Sequence, residues 1–169
     1  QPWSGATEER IASHVASIDA RCMALDLLSR RKWGISELST RLVKRGVEKE
    51  IAKHTTTQLA EDGWLDDLAY ARALIRQWIG KEPAGRRWLQ HKLREKELPV
   101  NIASKAIEAE RNNQSEQDAA TTLATLRLAK VSNVDEGTAT RRVRAALGRK
   151  GFDSEVTMEA IRRARKTDA

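Results

Sequence analysis

Few residues in this chain are of a type and spacing that could do covalent chemistry. The histidines His14, His54 and His91 lie far apart, and Cys22 has no cysteine partner. A metal needs several such ligands converging at helical or loop spacing, so no metal site is expected. The adjacent carboxylates Asp66 and Asp67 could bind a metal or share a proton. Directly ahead of an amphipathic stretch they read better as helix caps, with Asp67 as the N-cap. Gly80-Lys81-Glu82-Pro83-Ala84-Gly85 has the composition of a phosphate loop but not the spacing, and reads as a turn. No serine or cysteine has a local base beside it. Cys22, among Met23, Leu25 and Leu28, reads as a small buried hydrophobe. The chain is expected to be no enzyme, and to need no cofactor.

The cations are what is left to act. One segment carries Arg41, Lys44 and Arg45; a second carries Arg86, Arg87, Lys92, Arg94 and Lys96; a third carries Arg141, Arg142, Arg144, Arg149 and Lys150. The closing stretch adds Arg162, Arg163, Arg165 and Lys166. Charge on a helix is usually a solvated face. Between Thr138 and Lys150, however, there is no acid to balance it. Repeated unbalanced charge suits a long polyanion or an acidic protein groove.

The elements that must carry these residues follow from composition. Of 169 residues, 31 are Lys or Arg and 24 Asp or Glu, for a net charge of +7. Good helix formers dominate, only 9 Gly and 3 Pro are present, and no period-two alternation is sustained. The chain is therefore expected to be all-α. No apolar run is long enough to span a membrane. The lone cysteine and the lack of a charged-then-apolar leader point to the cytoplasm.

Residues 1–20, with Gln1-Pro2, Ser4-Gly5 and three acids against one Arg, read as a partly disordered tail. The rest repeats. Leu38 and Leu42, then Lys44-Arg45-Gly46-Val47 and Ile51, recur as Leu89 and Leu93, then Lys96-Glu97-Leu98 and Ile102. They recur again as Val143 and Leu147, then Lys150-Gly151-Phe152 and Val156. Blocks 21–62, 63–112 and 113–169 each hold an equal excess of basic over acidic residues. Each block reads as three helices: Arg21–Lys32, Ser36–Arg45 and about Glu48–Asp62; then Asp67–Ile79, Ala84–Lys96 and Pro99–Arg111; then Glu116–Lys130, Thr138–Lys150 and Ser154–Lys166. Gly46, Gly80 and Gly151 fit helix ends, and Ser115 with Asp118 fits a cap. The links are Gly63-Trp64-Leu65-Asp66 and Asn112-Asn113-Gln114. Trp64, Trp78 and Trp88 fall near apolar faces and are expected to fill space between helices. So small a unit cannot bury enough on its own, so three tandem units sharing burial should form an elongated, curved body. A monomer is expected.

Gly63-Trp64-Leu65-Asp66-Asp67, Ala69-Tyr70-Ala71-Arg72 and Gly85-Arg86-Arg87-Trp88-Leu89-Gln90-His91-Lys92-Leu93 together resemble the RecX family of bacterial recombination regulators. Ala24–Arg31 and Glu37–Gly46 look like that family's opening unit. The resemblance covers about residues 20–165. Glu82-Pro83-Ala84 replaces the Lys-Gly of many relatives, and the Val131–Gly137 connector is long. The resemblance implies a non-enzymatic protein of three three-helix repeats. Such a protein binds the RecA filament on DNA and restrains its ATP turnover, extension and strand exchange, as part of recombination and SOS control. It implies structural roles for Gly63, Trp64, Leu65, Asp66 and Asp67. Contacts to the filament, to single-stranded DNA and in the wider case to duplex DNA would fall to the basic helices. The competing reading is a general DNA-binding protein with helix-turn-helix-like units, which would select duplex sequence through one recognition helix.

An elongated body should show in solution. Small-angle scattering is expected to give a radius of gyration above the roughly 15 Å of a compact chain of this length; a value at that figure contradicts the expectation.

Overall fold

The computed structural model describes residues 5–111, 115–131 and 133–167, and the Asn112-Asn113-Gln114 link lies outside them. Within the described residues there are nine helices: α1 (Gly5–Arg30), α2 (Ile35–Val43), α3 (Lys49–Glu61), α4 (Asp67–Ile79), α5 (Arg86–Glu95), α6 (Val100–Arg111), α7 (Glu116–Ala129), α8 (Glu136–Arg149) and α9 (Ser154–Thr167). They follow one another as three triplets. No strand occurs among the described residues.

α1 corrects the sequence reading of a tail to residue 20. From Gly5 on the chain is helical, one continuous helix through Arg30. Its first turns are built of Ala, Glu, Arg and Ile, all adequate helix formers. The Pro and Gly that suggested disorder fall at or before its start, where they break nothing.

Contacts divide the chain into two compact units, one of residues 1–70 with 96–98, the other of 71–95 with 99–169. The core of the first is Ala24, Leu27, Leu38, Leu42, Ala52, Leu59 and Leu65, with Trp33, Ile35 and Val47 packed against it. In the second, α7, α8 and α9 close around Leu123, Val143, Leu147, Phe152 and Ile161. Ile75, Leu89, Leu93 and Ile107 are fully buried as well. The paired apolar positions of the repeat, Leu38/Leu42, Leu89/Leu93 and Val143/Leu147, are thus the buried knobs of the three middle helices.

The junction after α3 corrects two readings. Trp64 is 59% exposed whereas Leu65 is 4% exposed. The reason is the helix end. Gly63 takes φ +79° and donates to Ala60 O, and Trp64 N–H donates to Leu59 O. That left-handed stop turns the chain so that Leu65 points inward and Trp64 outward. Asp66, not Asp67, caps α4, accepting from Ala69 N–H at 2.9 Å. Asp67 instead turns back to accept the Ile35 N–H at the start of α2, at 2.8 Å.

The second unit repeats this device. Glu116, the first residue of α7, accepts the Arg86 N–H at the start of α5 at 2.9 Å. In each case the opening residue of one triplet satisfies a donor orphaned at the start of the preceding middle helix. Around Asp67, Tyr70 Oη donates to Glu37 Oε2 at 2.9 Å, and Arg31 and Lys96 pair with Glu37 Oε1 at 3.2 and 3.3 Å. In the second unit Lys150 stands where Lys96 stands in the first. It lies 4.9 Å from the Trp88 ring centroid.

The turn that ends each middle helix needs a left-handed residue. Gly46 and Gly151 supply it in two copies, and Glu97 takes φ +58° in the other. Thr40 Oγ1 donates to the Glu97 carboxylate at 2.8 Å and helps hold it there. At Gly151 glycine is also needed for space: a Cβ there would meet Trp88 N at 2.4 Å, and one on Gly85 would meet Gly151 O at 2.4 Å. The two backbones touch, with Gly85 N–H donating to Lys150 O at 2.7 Å.

Two outcomes follow for stability. Leu65→Ala should cost on the order of 2–5 kcal/mol in urea denaturation, while Trp64→Ala stays within about 0.5 kcal/mol of the parent. Tyr70 gives the second. Burial, then its hydrogen bond to Glu37, pushes the phenol up from 10.0 to about 12. A raised folded value means stability that is present below pH 10 and lost as pH rises towards 12. The sequence has 1 Tyr, so tyrosinate absorbance reads this group alone. The folded chain should titrate well above the urea-unfolded chain.

Candidate functional site

The cations singled out above separate into two classes once their neighbours are known. Those on and after α5 are mostly paired. Arg87 reaches Asp153 at 3.0 Å, Lys92 reaches Glu95 at 2.7 Å, Lys96 reaches Glu37 at 3.3 Å, and Arg86 lies 3.9 Å from Glu108. Arg94 contacts only the His91 ring, at 3.5 Å. Lys150 pairs with Glu82 at 2.8 Å, and Arg127 pairs with the same carboxylate. In the sequence these segments looked short of acid because the balancing carboxylates come mostly from other helices and turns, Glu95 beside Lys92 being the local one.

α8 is different. It starts at an Asp135 cap, whose carboxylate accepts from Thr138 N–H at 2.8 Å. That hydrogen bond holds the Asp135 carboxyl below its ordinary range. From there α8 presents Arg141, Arg142, Arg144 and Arg149, all exposed. Arg141 and Arg144 touch only hydroxyls, Thr138 Oγ1 at 3.4 Å and Ser154 Oγ at 3.1 Å. None of the four forms a carboxylate ion pair among the described residues. Val143, Ala146 and Leu147 bury the opposite face of α8, so the arginines stand on a rigid support.

Arg142 and Arg149, two turns apart, flank a shallow groove with Arg127 and Lys130 of α7. The groove has a volume of about 330 Å³, and Val131, Ala145 and Ala146 form its apolar part. Arg127 is already paired with Glu82, so Lys130, Arg142 and Arg149 are the cations there that can attract an anion. The residues supply no nucleophile or metal ligand, and no cluster of His, Cys, Asp and Glu able to hold a metal exists among the described residues. The α9 cations are partly neutralised: Arg162 and Arg163 share Glu159, and Arg165 pairs with Glu136.

A second concavity, about 500 Å³, lies in the first unit between the end of α1 and the start of α4. Leu28, Trp33, Trp64 and Tyr70 line it with Lys32 and Asp66. Exposure of Trp64 on its rim was not legible in the sequence, where an aromatic next to a leucine could equally be the buried partner. Cys22 is likewise exposed rather than buried, because it lies on the side of α1 away from the core. Trp78 and Trp88 behave as expected, packed edge to face with centroids 5.7 Å apart.

Glu82 permits a direct check of the ion-pair assignment. Burial raises its carboxyl, but the hydrogen bond and charge of Lys150, with Arg127, outweigh this and hold it below 4.5. A lowered folded value means stability present above the unfolded pKa and lost as pH falls through the folded one. Glu82→Gln should therefore melt below the parent at neutral pH, and the two should converge in acid.

No family model matches the chain. Curated relatives do. The regulatory protein RecX of Chlorobium limicola is 29% identical over 152 residues, 88% of this chain and 91% of that protein. The RecX of Amycolatopsis mediterranei is 29% identical over 143 residues, 85% of this chain and 81% of that one. The RecX of Treponema pallidum is 31% identical over 99 residues, and there the match spans 60% of the relative's length. Among solved structures, a regulatory protein RecX superposes with TM-score 0.81 over 96% of this chain and 79% of its own, at 23% identity. RecX from Lactobacillus salivarius superposes with TM-score 0.78 over 90% and 99%, at 18% identity. Along most of its length the chain is thus similar in sequence to RecX regulatory proteins, and it shares their fold.

Proposed function

We propose that this protein regulates the RecA recombinase by binding its filament on DNA, and that it restrains ATP turnover, filament extension and strand exchange without chemistry of its own. The proposal includes direct contact with DNA phosphate and action in the cytoplasm, where RecA works. The observation that carries it is the set of four exposed arginines on α8, Arg141, Arg142, Arg144 and Arg149, that have no carboxylate partner among the described residues. Such a surface attracts a polyanion, and the RecX likeness favours a RecA filament as the assembly that offers one. Contacts repeated on several helices would each be weak. On one chain they add through high effective concentration. The cations on and just after α5, Arg86, Arg87, Lys92, Arg94 and Lys96, belong to the proposed contacts as well, but for all except Arg94 a carboxylate partner reduces what each can offer.

The test is inhibition of RecA ATP hydrolysis on single-stranded DNA. The parent should lower the rate. Replacing Arg141, Arg142, Arg144 and Arg149 with Gln should weaken inhibition more than replacing Arg86, Arg87, Lys92 and Arg94. If phosphate is the partner, each lost contact also reduces the slope of log affinity against log salt by about 0.7 on single strands. Full inhibition by the α8 variant at raised salt refutes the assignment. Sequence-selective duplex binding with no effect on RecA would favour the helix-turn-helix reading instead.

A further inference from the structure

α1 carries apolar side chains on two opposite faces. At about 100° per residue, Ala20, Ala24 and Leu27 share one side, and all three are buried against the first unit. On the far side lie Ile11, Val15 and Ile18, exposed by 48, 50 and 50%. Exposed Cys22 continues that stripe, and Leu25, the next position in the spacing, packs partly against the first unit's own core. The spacing along the stripe is four, three, four and three residues. That is the alternation of a coiled-coil seam, with Val15 and Cys22 at one set of core positions and Ile11, Ile18 and Leu25 at the other. Three exposed β-branched aliphatics in one row on a helix that already buries its other face are left without a function by everything described above.

We propose that this face is an interface with a second copy of the chain, in which two α1 helices pair in parallel and in register. Charge decides both the occupant and the direction. An anionic lipid surface or DNA is disfavoured, because residues 1–20 hold three acids and one Arg. The positions flanking the seam are His14 and Arg21 on one side and Asp19 and Asp26 on the other. In a parallel pair, side chains five residues apart face each other across these flanks. Arg21 then faces Asp26 of the second copy, and His14 faces Asp19. An antiparallel pair would set Asp against Asp and Arg against His. Arg21 and Asp26 already have partners in their own chain, Asp62 at 2.7 Å and Arg30 at 3.0 Å. The cross pairs therefore select orientation, and the apolar seam supplies the attraction. Two heptads make a small interface, so association belongs in the micromolar to sub-millimolar range. The dimer replaces the monomer expected from the sequence, and it does not depend on the proposed RecA function.

The experiment is sedimentation equilibrium of the full chain across that range, with and without Val15→Glu/Ile18→Glu. Glu is a good helix former on an exposed face, so the variant should keep its helical circular dichroism. The parent should approach twice the chain mass and the variant should remain at one. Direction is read at Cys22, which meets its own copy only in the parallel register. Diamide, which accepts the two thiol hydrogens as the disulfide forms, should cross-link the parent but not the Val15→Glu/Ile18→Glu variant. A parent that stays at one chain mass, a dimer that survives the substitutions, or a dimer whose Cys22 does not cross-link would each overturn the proposal.

Discussion

The structure depends on one recurring contact: a carboxylate at the first residue of one triplet accepting the first backbone N–H of the middle helix before it. Asp67 does this for Ile35 and Glu116 for Arg86. A helix start leaves four donors unsatisfied, and a short middle helix of nine or ten residues has little else to fix it. The contact also fixes where the next helix begins. Other groups then build on it: Glu37, Tyr70, Arg31 and Lys96 around Asp67, and Arg111 around Glu116, its other nitrogen donating to Ala84 O at 2.6 Å. The first two triplets each borrow a cap from their successor. That is a local reason why units of this size occur in series rather than alone.

The same economy governs charge. A chain with 31 basic and 24 acidic residues could display many cations, yet most of those on α5 are spent on internal pairs. Exposed pairs of this kind add little stability. Their effect is to neutralise one face and leave another charged. On α8 the four arginines form no carboxylate ion pair among the described residues, while Val143 and Leu147 hold the helix from below. A surface that binds through charge needs such a contrast, because its specificity comes from where charge is left uncompensated.

α1 shows how a helix can look featureless in sequence and still carry structure. Its apolar residues on opposite faces cancel as a pattern, so no single stripe announces a helix, and the Gly and Pro near its start suggest a tail. Burial resolves the ambiguity: one face closes the core with Ala20, Ala24 and Leu27, and the other presents Ile11, Val15 and Ile18.

The sequence alone determined the helical class and most helix spans to within two residues, because these rest on local propensity and on a 3.6-residue period that any window displays. It also determined the buried pairs Leu38/Leu42, Leu89/Leu93 and Val143/Leu147, the Ser115 cap, and the family resemblance. Only the tertiary structure decided which of two neighbours turns inward at Trp64-Leu65, and which of Asp66 and Asp67 caps its own helix. Only there do Arg87 and Lys150 find acids, each lying far along the chain. These outcomes turn on direction and on contacts distant in sequence. A left-handed residue at Gly63 rotates every side chain that follows, and a charge is free or paired according to what another helix brings beside it.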